Sequence, residues 1–241
     1  MPSLTCFNVR FTPSWLTILI SLLCISLFTR LGFWQLHRAD EKKAMLKAAK
    51  LQSVQQPMQW DGQKSNPIQY QRLGVQGHFL KHVFLLDNQH HQHQFGYDVL
   101  SPMVLANHKV ILIDRGWVPV DKGQRQIFPK IKTPDGTQQL QGTVYYPNKN
   151  QWVLGKVIET KNKDLAILET VDTQLIAQIL QKESYPFIMR LDKQDAHGFV
   201  RDWAIVSMPF QRHLGYAFQW FAMAFTVLIL FIALNVKKKN E

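Results

Sequence analysis

The sequence predicts a membrane protein of the α+β class: two transmembrane helices, one at each end, flank a mainly antiparallel β domain outside the cytoplasm. Three observations carry that prediction. Residues 11–29 and 214–236 are uncharged apolar runs of 19 and 23 residues, each long enough to cross about 30 Å of hydrocarbon as helix. Lys237, Lys238 and Lys239 follow the second run directly. Between the runs, segments rich in β-branched and aromatic residues alternate with turn clusters. Mean hydropathy over the 241 residues is slightly negative because the apolar residues gather at the two ends, which excludes a polytopic transporter.

Taking the elements in order, Arg10 precedes the first run, Pro13 suits a first helical turn and Trp15 suits an interface. A cleavable signal peptide would need small residues at a cleavage site, and residues 29–34 offer none. Residues 38–52, rich in Ala, Lys, Leu and Glu, continue the helix into water. Residues 55–67 are irregular. Strand signals follow over 70–80, 83–86, 97–105, 110–118 and 139–145, with later candidates at 186–191 and 203–206. Residues 170–182 carry Val171, Leu175, Ile176 and Ile179 at helical spacing. The central fold is barrel-like or a sandwich. A lysine cluster beside a span marks its cytoplasmic side, and an even span count puts the N-terminus there too. The divisions are therefore a cytoplasmic N-terminus over 1–10, a transmembrane helix and its outer end over 11–36, an extracytoplasmic β-rich domain over 37–212, a second transmembrane helix over 213–236 and a cytoplasmic basic tail over 237–241.

The net charge of +11 is spread along the chain, and no nucleic-acid motif accompanies it. A lipid bilayer with anionic headgroups is the expected partner, and nucleic acid is not. Cys6 and Cys24 lie in or before the first run, so the central domain has no thiol for a disulfide or a metal. Three clusters suggest chemistry. His213, Tyr216, Ala217 and Trp220 share a helical face at the mouth of the second span, which suits an axial haem ligand between aromatic walls. An interfacial histidine beside ordinary aromatic-belt residues has the same spacing. Arg30, Trp34 and Arg38 fall at i, i+4 and i+8 at the end of the first span. Their guanidinium groups suit haem propionates, and they equally suit snorkelling to lipid headgroups. His90, His91 and His93 lie between strand signals and read as a solvated hairpin rather than a metal site. Asp87, Asp114 and Asp202 read as acceptors for backbone or arginine donors. No nucleotide loop, nucleophile elbow or zinc helix is present, so no enzyme is predicted.

Five short segments, in order between the spans, resemble the Surfeit locus protein 1 family of oxidase assembly factors. Leu31-Gly32-Phe33-Trp34-Gln35-Leu36-His37-Arg38 is similar to the family's LGxWQLxR. Gly77-His78-Phe79 with Leu85-Leu86-Asp87-Asn88 resembles its GxF and LLDN strands, and residues 96–102 its GYxVxTP strand. Asp114-Arg115-Gly116-Trp117-Val118-Pro119 resembles NRGWVP, and residues 213–221 resemble HLxYAxxWF. Asp114 stands where the family usually has Asn, Gln89 where it has Arg, and Arg212 where it has Asn. The resemblance implies a chaperone that helps insert haem a into subunit I of haem–copper cytochrome c oxidase. In bacterial members, haem a binding goes through the histidine that opens the second span, here His213. Tyr216, Trp220 and Trp34 become candidate walls, and Arg30, Arg38 and Arg212 candidate propionate partners. Subunit I and haem a synthase are the implied partners. The implied location is the bacterial inner membrane, with both termini cytoplasmic and the domain periplasmic. A haem-free scaffold for an assembly intermediate, and a membrane-anchored metal enzyme or sensor using the histidine tract, are the competing readings.

Overall fold

A computed structural model describes residues 4–6, 9–63, 65–120, 127–148 and 157–238; Lys239 of the lysine cluster lies outside them. In chain order the elements are β1 (Leu4–Cys6), β2 (Val9–Phe11), α1 (Trp15–Ser53), β3 (Met58–Gln59), β4 (Arg72–Phe79), β5 (Val83–His91), β6 (Gln94–Leu105), β7 (Val110–Pro119), β8 (Thr137–Tyr145), β9 (Ile158–Asn162), β10 (Leu165–Leu168), α2 (Thr173–Leu180), β11 (Ser184–Leu191), α3 (Phe210–Asn235) and β12 (Val236–Lys238). The chain divides into a helical unit, residues 1–47 with 205–241, and a β unit, residues 48–204.

In the helical unit, α1 and α3 are each long and apolar enough to cross a membrane. Ser14 caps α1, its Oγ accepting the Thr17 amide at 3.1 Å; Pro13 falls just before the cap instead of in the first turn. The helix is unbroken through the charged stretch after Arg38, at about 58 Å in all. Ile18, Ser21, Ile25, Phe28, Gly32, Gln35 and Ala39 recur at alternating three- and four-residue steps and are buried or half-buried. Large apolar side chains such as Leu16, Leu19, Leu23 and Phe33 stay exposed around them. That is the pattern of a narrow seam facing one partner helix. The partner is α3, whose His213, Ala217, Ala224 and Asn235 are buried. Gly32 allows close approach at this seam: a Cβ there would lie 2.7 Å from the Phe221 ring. Phe28 meets Trp220 and Phe11 meets Phe231, with ring centroids 5.7 and 5.8 Å apart. Beyond the seam, β2 pairs antiparallel with both β1 and β12, and the Thr12 amide donates to the Asn235 carbonyl at 3.0 Å. β1, β2 and β12 therefore sit at the same end of the helix pair.

The β unit is one sheet in the order β3-β4-β8-β11-β7-β6-β5-β10-β9 with an added β4–β6 pairing. That pairing, Gly77 to Leu105 through Phe79 to Met103, closes β4, β8, β11, β7 and β6 into a ring. Alternation along the strands fills it. Ile111 and Ile113 of β7 and Phe187 and Met189 of β11 point into the ring with Leu73, Val75, Leu140 and Trp60. Leu112 and Ile188, between them, face outward and pack with Phe84, Leu100 and Ile176 of α2. The long strand β6 changes partner partway along, from β5 up to Leu100 to β4 from Met103. Pro102 sits at the changeover. Its carbonyl accepts from Leu80 at 2.9 Å, so the N–H it lacks falls on the side where no continuous ladder needs one. The sheet is mainly antiparallel, with parallel pairs β3–β4, β10–β5 and β11–β7. Helix α2 lies in the long connection from β7 to its parallel partner β11. Residues 203–206, expected as a strand, are irregular: Trp203 packs on Arg190 and donates to the Leu191 carbonyl at 3.1 Å.

Candidate functional site

The helical unit brings together two side chains far apart in sequence. His213 lies in the first turn of α3, which opens after Pro209 without a side-chain cap. The ring is 8% exposed. Its Nδ1 lies 2.8 Å from Oε1 of Gln35 on α1. An amide oxygen only accepts, so a neutral ring in this contact carries its proton on Nδ1 and has its lone pair on Nε2. Nε2 is buried and meets no hydrogen-bond partner among the described residues. Leaving a buried polar atom unpaired costs about 1–3 kcal/mol, and nearly all such atoms in native proteins are paired. An imidazole held by one nitrogen with the other unpaired is the arrangement of a metal-ligating histidine.

The other residues singled out from the sequence sit around this pair in different ways. Ala217 is buried one turn deeper. Trp220 is half-buried against Phe28, whereas Tyr216 is 44% exposed and turned away from the seam. Trp34, next to Gln35 in the chain, is 52% exposed. Arg30 and Arg212 are exposed. Arg38 is half-buried, and its Nη1 donates to Glu41 at 2.5 Å. Glu41 also meets His37 Nε2 at 3.2 Å, so the second histidine at this level points along its own helix. Gln35 escaped the sequence reading. The available signal was a long polar residue within a seam of apolar and small residues, the kind of position that fixes helix pairing.

In the β unit, the histidine tract forms a two-residue hairpin. His91 pairs with Gln94, and Gln92 and His93 both have positive φ, +47° and +63°, a type I′ turn. His90 packs against Phe95 and His91 against Trp117, with the rings tilted. Trp117 is buried, though outside the apolar clusters of the ring and its flanks: it lies over Gly96, where a Cβ would meet its indole at 2.5 Å, and donates to the Gln89 carbonyl at 3.3 Å. Gly116 (φ +111°) has the Val200 carbonyl 2.6 Å from where a Cβ would stand. Arg115 is buried between Phe79 and Phe199, and its Nε donates to the His197 carbonyl at 2.8 Å. Burial lowers its pKa to about 10, so it remains a cation at neutral pH. The Arg-Gly-Trp run thus clamps the returning chain at 197–200 onto β7.

Asp114 accepts from the Gly116 amide at 3.3 Å, and Arg190 Nε lies 4.0 Å from its second oxygen. Asp87 and Asp202 accept from the Asn88 amide and from Lys193. Asp114 is not isolated, however. Burial, and then the neighbouring Asp98, raise its pKa well above the usual carboxylate range. Burial raises Asp98 to about 6, with Arg190 opposing. Between about pH 4 and 6 the folded state thus binds more protons than the unfolded chain, and this part of the stability is lost as pH rises through 6. Asp98→Asn is therefore expected to melt higher than wild type above pH 6, with the advantage vanishing below pH 4. Thermal melts of both proteins across pH 3.5–8 check this; a constant difference at all pH values would contradict it.

Comparison with known proteins completes the picture. A model of the SURF1 family matches residues 22–225, from within the first helix to within the last. A SURF1-like protein of Rickettsia bellii is 26% identical over 223 residues, covering 90% of this chain and 88% of the relative. One of Rickettsia felis is 25% identical over 223 residues, covering 90% and 95%. A SURF1-like protein of Dictyostelium discoideum is 24% identical over 163 residues, covering 58% and 60%. With the match running through the β unit and into both helices, His213 and Gln35 included, the chain belongs to the SURF1 family.

Proposed function

We propose that this protein is an assembly factor for haem–copper cytochrome c oxidase that receives haem a and presents it to subunit I. The family is linked to cytochrome c oxidase assembly, and His213 is the observation that carries the finer reading. Its Nδ1–H is engaged by Gln35 and its Nε2 is left unpaired. Haem iron accepts one neutral imidazole readily. Trp220 supplies apolar surface two turns deeper on the same helix, Tyr216 and Trp34 supply exposed aromatic surface on the two helices, and Arg30 and Arg212 supply exposed guanidinium groups suited to propionates. Arg38 contributes less, being paired with Glu41. A single strong ligand suits a carrier, which must let its cargo go. The role is reversible coordination of the iron with no chemical change to the haem, and haem a synthase is the natural source. The protein sits in the bacterial inner membrane with both termini cytoplasmic and the β unit periplasmic; the pairing of β2 with β12 supports a shared side for the termini. A cytoplasm-specific reporter fused after Glu241 is expected to be active and a periplasm-specific one silent. The reverse pattern overturns this orientation.

One observation favours a haem-free scaffold instead. Nε2 is buried as the helices stand, so iron reaches it only after neighbouring side chains part. A visible spectrum of protein purified from haem-a-producing cells decides: a Soret band supports the carrier, and its absence supports the scaffold.

A further inference from the structure

We propose that Gln35 is the positioning residue of the haem site: it fixes the tautomer of His213 and so makes Nε2 the ligating atom. This rests on the carrier reading above and adds a role for a residue on the other helix. The neutral imidazole exists in two forms, with the proton on either nitrogen, and in water the Nε2–H form is favoured. That form cannot bind a metal through Nε2. Here the Gln35 carbonyl oxygen lies 2.8 Å from Nδ1, where an acceptor holds the proton on Nδ1 and leaves the Nε2 lone pair free. Gln35 is itself held in place. It lies on the α1 seam between Gly32 and Ala39, both buried, and Gly32 packs against Phe221 of the same helix as His213. The backbone that carries the amide is thus set by the seam. The buried, unpartnered Nε2 is the independent observation that the ring is presented for something other than helix packing, since packing alone would be served by any apolar residue of similar volume.

An acceptor behind a ligating histidine does two things: it orients the ring and raises the ligand's basicity, and losing it typically costs about ten-fold to a hundred-fold in metal affinity. A carboxylate there would pull harder on the Nδ1 proton than an amide does. The proposal therefore predicts an order among variants rather than a single loss. Gln35→Leu keeps the seam apolar but removes the acceptor; Gln35→Glu keeps and strengthens it.

The test uses the full-length protein in detergent micelles. First, in protein carrying ¹⁵N-labelled histidine and no haem, the ring nitrogens of His213, assigned with His213→Met, are expected to report the Nδ1–H form in wild type and a shift toward Nε2–H in Gln35→Leu. Second, haem a titrated into each protein is expected to bind at least ten-fold more weakly in Gln35→Leu than in wild type. Gln35→Glu is expected to restore binding and to lower the reduction potential of the bound haem. The two stages fail separately. No haem binding by wild type would overturn the carrier reading while the tautomer measurement still judges Gln35. Normal haem binding together with an Nε2–H ring in wild type, or undiminished affinity in Gln35→Leu, would overturn the role proposed for Gln35 and leave the carrier intact.

Discussion

Gly77→Glu is expected to leave no folded β unit. Gly77 sits where the ring closes, with Gln138 of β8 on one side and Leu105 of β6 on the other. A Cβ there would be driven into the Val104 carbonyl oxygen and would lie 2.8 Å from Met103 Cγ. The carbonyl is backbone within the closing pairing and cannot retreat without opening it, and Met103 is fully buried in the ring core. Glutamate adds a carboxylate to that collision. Steric overlap, an unpaired charge and a broken ladder act together, and each belongs to the short list of causes of losses above about 4 kcal/mol. A domain of this size has only about 5–15 kcal/mol in hand. Loss of the cooperative thermal transition, with rapid proteolysis of the β unit, is the expected result. Gly77→Ala should be destabilised less, because it brings no charge. A wild-type melting temperature for Gly77→Glu would mean that the closure is not a structural necessity.

The second large effect concerns cargo. His213→Met is expected to lower haem content at least ten-fold while the thermal transition of the β unit is unchanged. The side chain lies in the helical unit and makes its hydrogen bond to Gln35 there, so its removal leaves the ring of strands untouched. Within the helices, Gln35 loses a partner, a cost on the order of 1 kcal/mol. Methionine keeps the bulk of the site but offers a thioether in place of a strong nitrogen ligand. Arg30→Ala should weaken binding less, since water replaces part of a propionate contact at an exposed position. Arg38→Ala should do less still, because its guanidinium already faces Glu41. Haem per protein, measured by absorbance after purification from haem-a-producing cells, checks the order. Full retention in His213→Met, or a loss confined to His37→Ala, would overturn the ligand assignment.

How far the sequence reveals this structure depends on the range of each interaction. The helices were legible because a long uncharged run is a local signal, and so was the continuation of α1 through residues 38–52, where composition alone favours helix. Most strands were legible for the same reason. Ring closure was not, because nothing near Gly77 says that Leu105 will lie beside it; the glycine only hinted at close backbone approach. The parallel partner of β10 was hidden in the same way, since four residues, Leu165–Leu168, carry too little pattern. Residues 203–206 misled because an aromatic can mark a packing contact on Arg190 as readily as a strand. His213 was legible as a candidate from its place at the mouth of an apolar run. Gln35 was not, because it belongs with a residue 178 positions away. Asp98 and Asp114 showed nothing in sequence of their mutual repulsion, which arises only when β6 and β7 bury both.

The paired chain ends act on the histidine as the jaw of a caliper. Between His213 and Asn235 helix α3 rises about 33 Å, close to the thickness of a hydrocarbon layer. At the far jaw, the Thr12 amide and the β2–β12 pairing hold the two helices in a single axial setting; at the near jaw, Gln35 and His213 do the same. A slide of one helical turn, about 5.4 Å, would break both settings at once. The axial position of the imidazole is thus gauged from the opposite end of the helix pair, by backbone hydrogen bonds that never touch it.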